Sequence, residues 1–302
     1  DCVKFQTFKA ETVVQSYSPK ANYQLKTTDP EESQYDMLKK LELDQEVYPE
    51  LIEKAAKLGI EFMSTPYDPN DVDFLDALGV PAFKAASISM VEPSFLRYIA
   101  SKNKPIICST GLCTLDEISK SLNFLPSYEK YLILLQCTTD YPAEIKDSNI
   151  LSMLELKKTT GCLVGYSDHT INNVSVIAAI ANGAKVIEKH LTLDKSAEGP
   201  DQENSYEPSE FKELVSVVRQ TEQALGDGIK KPSERELKNI HGMRRGLVAK
   251  KDLQIGEKPE FSDFYLKRPA NGISIIEFML LKETILKKTL KKGDFLSLDH
   301  LN

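Results

Sequence analysis

Only four histidines occur in the 302-residue chain, and two of them, His169 in "GYSDHT" and His190 in "VIEKHLT", stand at the far ends of apolar runs beside hydroxyls and acids. Alternate side chains of a strand share a face, so His169 lies with Ser167 and His190 with Glu188. On neighbouring parallel strands, about 5 Å apart, the two imidazoles can share one divalent cation. An ion with two protein ligands keeps open positions for water or substrate, as a catalytic metal must. The bland alternative for each ring is a lone, hydrogen-bonded structural histidine. Their occurrence at successive strand ends favours the shared ion.

Basic residues point to a second chemistry. Lys4 in "VKFQTF" and Lys84 in "AFKAAS" fall mid-strand, where an ammonium group is costly unless it is paired or bound by an anion. Snorkelling to solvent from the strand end is the alternative. Gln6 shares the face of Lys4 and adds an amide. Hydroxyls recur at the other strand ends: Ser64, Thr65, Ser87, Ser109, Thr110, Thr138, Thr139 and Ser167. With the two lysines they make a ring of short donors suited to phosphate and carboxylate oxygens. No Ser-His-Asp set and no cysteine beside a histidine is visible, which disfavours covalent catalysis.

The elements that must position these groups alternate regularly. Seven β-rich runs ("DCVKFQTF", "IEFMSTP", "PAFKAAS", "PIICSTG", "LILLQCTTDYP", "CLVGYSD", "KVIEKHLT") are separated by amphipathic stretches such as "PELIEKAAKLG", "DVDFLDALG" and "VSVIAAIANGA". Glycine, a favoured helix stop, ends several of them. Such alternation indicates parallel βαβ units. The expectation is an α/β fold, a (β/α)8 TIM barrel whose first strand and helix precede Asp1, since the chain opens inside a strand. An open doubly wound sheet is the runner-up, without a Gly-rich phosphate loop to support it.

The barrel is expected over residues 1–228, a polar connector over 229–242, and a small β-rich domain over 243–302. In that last stretch "AKKDLQIGEKPEFSDF" is echoed by "LKKTLKKGDFLSLDH", a weak internal duplication. Between them the Pro/Gly-rich "LKRPANGIS" carries Arg268.

Bulk properties narrow the partners. Apolar content of 41% and charged content of 27% are those of an ordinary globular protein, and a net charge of −7 argues against nucleic acid and membrane surfaces as partners. No run reaches the length of a membrane span. The five cysteines lack zinc-type pairing and read as reduced, mostly buried thiols of a cytoplasmic protein.

Taken together, "VKFQTFKAE", "GIEFMSTPYD", "VPAFKAAS", "KPIICSTG", "CTTDYPA", "VGYSDHT", "VIEKHLTLDK…EGPD" and "LKRPANGIS" resemble the sialic acid synthase family over nearly the whole chain. The resemblance implies condensation of phosphoenolpyruvate with N-acetylmannosamine or a related N-acylated amino sugar. It implies a Mn2+ or Mg2+ ion on His169 and His190, and phosphoenolpyruvate held by Lys4, Thr65, Lys84, Ser87, Ser109 and Ser167. Gln6, Tyr141 and Asp201 match positions near the sugar. Thr139 stands where some members have Asn.

The resemblance also implies a C-terminal antifreeze-like (SAF) domain that closes the active site of the partner in a domain-swapped homodimer. Arg268 would be delivered there to the sugar's N-acyl group. Two departures weaken the match: a family glutamate of the first strand has no counterpart here, and Ser89 stands where a glutamate is usual. A non-catalytic sugar- or phosphate-binding relative therefore remains the alternative, and another metal-assisted barrel lyase or aldolase is a third.

Overall fold

The computed structural model describes residues 1–281 and 283–301. They form two compact units that divide between Gly226 and Asp227.

In the first unit all seven expected runs are strands. They are β1 (Cys2–Thr7), β2 (Glu61–Pro66), β3 (Phe83–Ala85), β4 (Ile106–Ser109), β5 (Leu132–Cys137), β6 (Leu163–Asp168) and β7 (Ile187–Lys189). β1 pairs with β2, and β3 to β7 pair in chain order, every ladder parallel. β2 lies against β3. The sheet curls on itself, because Lys4 of β1 meets Glu188 of β7 at 2.9 Å. The result is a curled parallel α/β sheet.

Local sequence explains the crossovers. The helix Pro69–Ala77 opens on a capping box in which Asp68 accepts from the Asp71 N–H and Asp71 reaches back, with proline in the first turn. Leu115–Leu122 opens the same way on Thr114 and Glu117. The helix Tyr48–Lys57 stops at Gly59, which takes φ +69°. Their apolar faces cover the sheet and build a core of Tyr48, Val72, Leu75, Phe83, Leu96, Ile99, Ile106 and Leu134, all fully buried. Between β1 and β2 the chain makes an excursion containing the helix Gln34–Leu41. Lys20 pins it from within, its ammonium donating to the Thr28 hydroxyl, the Asp29 carbonyl and the Glu32 carboxylate at 2.6–2.9 Å. A buried ammonium with three acceptors is satisfied rather than stranded.

The second unit is built on β8 (Gly246–Ala249) and β9 (Phe264–Lys267), which are antiparallel. Leu247, Leu253, Phe264, Leu286, Leu290 and Leu296 lie in its core. Leu253 and Leu290 exchange both backbone hydrogen bonds, 2.9 and 3.0 Å. Each follows a basic pair and one further residue in its half of the duplicated pattern, so the two halves meet at equivalent positions. The expected polar connector carries a helix, Glu234–Met243, opened by a Ser233/Glu236 capping box. That "SERE" signal lay in plain sight within a charged stretch. No helix among the described residues is long and apolar enough to cross a membrane.

β6 approaches its neighbours without room for a side chain at Gly165. A Cβ there would lie 2.3 Å from the Val186 carbonyl oxygen and 2.7 Å from Leu135. The same carbonyl accepts from the Tyr166 N–H at 2.9 Å, so relief would cost a ladder bond. Gly165→Ala is expected to destabilise the first unit by about 1–3 kcal/mol, typical of overpacking. The measurement is the shift of the denaturant midpoint, and an unshifted midpoint would contradict this packing.

Candidate active site

One cavity of about 450 Å³ sits at the C-terminal ends of the parallel strands. Lys4, Gln6, Thr65, Lys84, Ser87, Ser109, Tyr141, Ser167, His169, His190 and Asp201 all line it. Strand alternation delivers them: in β1 Lys4 and Gln6 face inward while Val3 packs on the core.

Glu188 is the hub of the cationic end. Its carboxylate meets Lys4 at 2.9 Å and Lys84 at 3.4 Å, and accepts from the Ser167 hydroxyl at 2.7 Å and from Ser109 at 3.4 Å. Lys84 also donates to the Ser109 hydroxyl at 2.8 Å and to the Ala85 carbonyl at 2.9 Å. Burial by itself would raise the Glu188 carboxyl, but Lys4, Lys84 and the Ser167 hydroxyl outweigh it and hold the group well below the usual carboxylate range. The costly mid-strand ammonium groups thus have their charge partner. Sequence alternation had placed Glu188 beside His190, yet nothing local showed that it bridges two lysines from distant strands.

The imidazoles lie next to this pole, with ring centres 5.3 Å apart. His169 donates its Nδ1–H to the Thr138 carbonyl at 2.7 Å, which leaves the Nε2 lone pair free. Burial lowers its basicity. Burial, with Lys4 and His169 adding like charge, pushes His190 down to about 3. Both rings are therefore neutral near pH 7, the state in which imidazole binds a metal. Among the described residues no group of three or more His, Cys, Asp and Glu side chains is arranged as a metal cage. The donor set fits a divalent cation with two nitrogens from the protein and its other positions left to water or substrate oxygens.

Aromatic groups cover the rings. Tyr141 stands 4.2 Å from His169 and 5.8 Å from His190 by ring centres, and Tyr23 lies tilted against Tyr141 at 4.7 Å. Burial, reinforced by Asp201, raises Tyr23 to about 12 and pushes Tyr141 up as well, so both keep their protons. Tyr67 donates to the Gln6 amide oxygen at 3.2 Å and fixes its orientation. Beyond the tyrosines the wall turns apolar, with Phe8, Met37, Leu38, Leu41 and Leu43. Most of this wall comes from the excursion after β1, whose role had no signature in the sequence.

The ring of hydroxyls is smaller than its sequence pattern. Ser64 faces away and bonds Thr7 at 2.6 Å, Thr110 donates to the Leu135 carbonyl and Thr138 to the Asp147 carbonyl. Thr65, Ser87, Ser109 and Ser167 remain at the cavity. Thr139 is not among the lining residues; its hydroxyl is buried without a partner, on the side of Gly111. Ser89 is buried in the short helix Ser87–Val91 and does not line the cavity either. Arg268 belongs to the second unit, where its Nε–H donates to the Met243 carbonyl at 3.0 Å. A cysteine does stand beside a histidine: Cys137 Sγ is 3.9 Å from His169 Nδ1. Burial raises that thiol, so it is no thiolate nucleophile.

A curled parallel sheet with two lysines around a buried carboxylate and a neutral imidazole pair at its strand ends defines the class, an α/β protein with a polar cavity at the C-terminal rim of its sheet. Residues 1–230 match the NeuB family, and the chain belongs to it. It is 46% identical to an N,N'-diacetyllegionaminic acid synthase of Campylobacter jejuni over 98% of this chain and 90% of that protein. A second protein of that name, from Legionella pneumophila, is 41% identical over 100% of this chain and 86% of its own length. Among solved structures, an N-acetylneuraminic acid synthetase from Leptospira borgpetersenii superposes with a TM-score of 0.68 at 28% identity, covering 79% of each chain.

The ion pairs of Glu188 give a pH signature. A carboxylate depressed in the folded state contributes stability that is present above its unfolded value and is lost as pH falls through the folded one. Lys4→Met is expected to move the Glu188 titration upward in 13C NMR and to make the protein lose less stability on acidification. An unmoved Glu188 resonance would show that Lys4 is not the cause.

Proposed function

We propose that this protein condenses phosphoenolpyruvate with an N-acylated amino sugar to give a sialic acid-type nonulosonic acid and phosphate. The observation that carries the reading is the convergence of Lys4, Lys84, His169 and His190 in one cavity of a chain so similar to synthases of such acids. The names of those relatives favour a finer version in which the acceptor carries two acetamido groups. The apolar wall of Met37, Leu38, Leu41 and Leu43 supports it, because acyl methyl groups are accommodated there more readily than bare hydroxyls.

In this reading Lys4 and Lys84, with Thr65, Ser87, Ser109 and Ser167, hold the phosphate and carboxylate of phosphoenolpyruvate and share their charge with Glu188. His169 and His190 hold Mn2+ or Mg2+, which when bound supplies Lewis acidity toward the aldehyde oxygen of the open-chain sugar. Gln6, Tyr141 and Asp201 orient the sugar, so that its aldehyde carbon faces C3 of phosphoenolpyruvate. Bond formation between these carbons leaves a cationic C2 and an alkoxide at the former aldehyde. Water adds at C2 and one of its protons goes to that alkoxide; the C2–O bond to phosphate then breaks with its electron pair as the second proton leaves and C2 becomes the ketone. Tyr141 and Tyr23 exclude bulk water from the imidazole pair, which strengthens every charge interaction inside.

Arg268, on the second unit, is proposed to reach the N-acyl group in the partner's site within a homodimer, and that unit to act as an antifreeze-like (SAF) domain. A cytoplasmic location fits the cell's phosphoenolpyruvate supply.

Phosphate release is expected to require both phosphoenolpyruvate and an N-acylated amino sugar, with higher kcat/KM for a diacetamido acceptor than for N-acetylmannosamine. Equal or better use of N-acetylmannosamine would remove the finer reading. Calorimetric binding of phosphoenolpyruvate without any turnover would instead favour a non-catalytic relative. Lys84→Ala is expected to weaken phosphoenolpyruvate binding by about 2 kcal/mol, as for a charge-assisted contact; an unchanged Kd takes Lys84 out of the anion site. Arg268→Ala is expected to leave the melting temperature unchanged while raising KM for the sugar, and a wild-type KM would end the delivered-arginine reading.

A further inference from the structure

Behind the cavity, on the opposite face of the same two strands, lies a buried ion pair that the chemistry above does not use. Asp168 and Lys189 directly oppose each other on the last rung of the β6–β7 ladder. Lys189 Nζ meets Asp168 Oδ2 at 2.7 Å, and the two side chains are 1% and 0% exposed. Each residue immediately precedes one of the two histidines.

Past that rung the ladder supplies no bond between residues 169 and 190, so the spacing of the two rings has to be set by other contacts. Lys189 supplies them. Its ammonium bonds the Asp168 carboxylate and also the Thr170 carbonyl, thereby gripping the residues on either side of His169. Asp168 closes the loop by accepting from the Thr170 N–H at 2.9 Å through its other oxygen. Tyr206 completes the clamp: its ring centre lies 4.3 Å from the Lys189 ammonium, and its N–H donates to the His190 carbonyl at 2.9 Å.

Stability alone does not account for such a pair. Desolvating two charges costs about as much as their attraction returns, and well-packed apolar substitutes are often neutral or stabilising. What a buried pair does well is fix one geometry among several. We propose that Asp168 and Lys189 are positioning residues that hold His169 and His190 at the separation and orientation needed to share one divalent cation. The inference rests on the metal-site reading given under Proposed function.

Its test uses the full chain and Mn2+ alone, titrated calorimetrically and followed by Mn2+ EPR. The Asp168→Leu/Lys189→Met double variant is expected to unfold cooperatively at the wild-type Tm or above. Its Mn2+ affinity is expected to fall at least about tenfold, the usual cost of losing a residue that orients a metal ligand. Phosphoenolpyruvate affinity without Mn2+ is expected to stay unchanged, because Lys4 and Lys84 lie on other strands and Ser167 and Glu188 face the cavity, on the side away from the exchanged pair. Asp168→Glu keeps both charges but lengthens the clamp by one methylene. It is expected to lose Mn2+ affinity at constant Tm, and it decides the question if the double variant does not fold. Lys189→Arg, which still donates to both oxygens, is expected to retain affinity.

Wild-type Mn2+ affinity in Asp168→Glu or in a folded double variant would overturn the proposal. So would parallel loss of Mn2+ and phosphoenolpyruvate binding, which would mark a general disturbance. Absence of Mn2+ binding by the wild-type chain would instead sink the metal reading, and this inference with it.

Discussion

The carboxylate of Glu188, from the last strand of the curled sheet, meets ammonium groups carried by β1 and β3. Three strands far apart in sequence are thereby tied at one rim, where apolar packing cannot reach because the cavity lies there. Apolar side chains can fill the interior lower down, but the mouth has to be closed by polar groups that tolerate water. An ion pair with hydroxyl support does this: burial weighs heavily against the Glu188 charge, but Lys4, Lys84 and the Ser167 hydroxyl together outweigh it.

The same rim separates two electrostatic environments within a few ångströms. At one end Lys4 and Lys84 keep Glu188 ionised; beside it, burial and Lys4 keep His190 neutral. One cause therefore has opposite effects on an acid and a base. Both effects meet in one arrangement, ammonium groups paired with a carboxylate next to uncharged imidazoles. The protonated tyrosines add donors without adding charge.

Much of this was legible in the sequence because it follows from period-two alternation. Lys4 with Gln6, Ser167 with His169, and Glu188 with His190 could each be placed on one face, and all seven parallel strands were visible as runs. What stayed hidden depends on long-range contact. The hydroxyls of Ser64, Thr110 and Thr138 look identical in sequence to those of Thr65, Ser109 and Ser167, and only the fold decides which are consumed by neighbouring carbonyls or hydroxyls. Thr139 sits next to a lining segment but packs its hydroxyl against Gly111 instead. The clamp of Asp168 and Lys189 could not be read either, because a charge preceding a strand-end histidine looks like an ordinary solvated residue. The helix within the connector is a different kind of miss, since its capping box was local.

A net charge of −7 says little about the electrostatics inside the cavity. Exposed charges are screened beyond about 8 Å at physiological ionic strength, whereas the lysines at the cavity floor act at contact distance with little intervening water. Lys84 is 5% exposed and cannot turn away to solvent. The local balance is two ammonium groups against Glu188, with burial already biasing Asp201 toward its neutral form. An anion at this end would have to share the lysines with Glu188: Lys4 has donors beyond its Glu188 contact, whereas Lys84 already spends its three on Ser109, Ala85 and Glu188 and would give up the longest, at 3.4 Å.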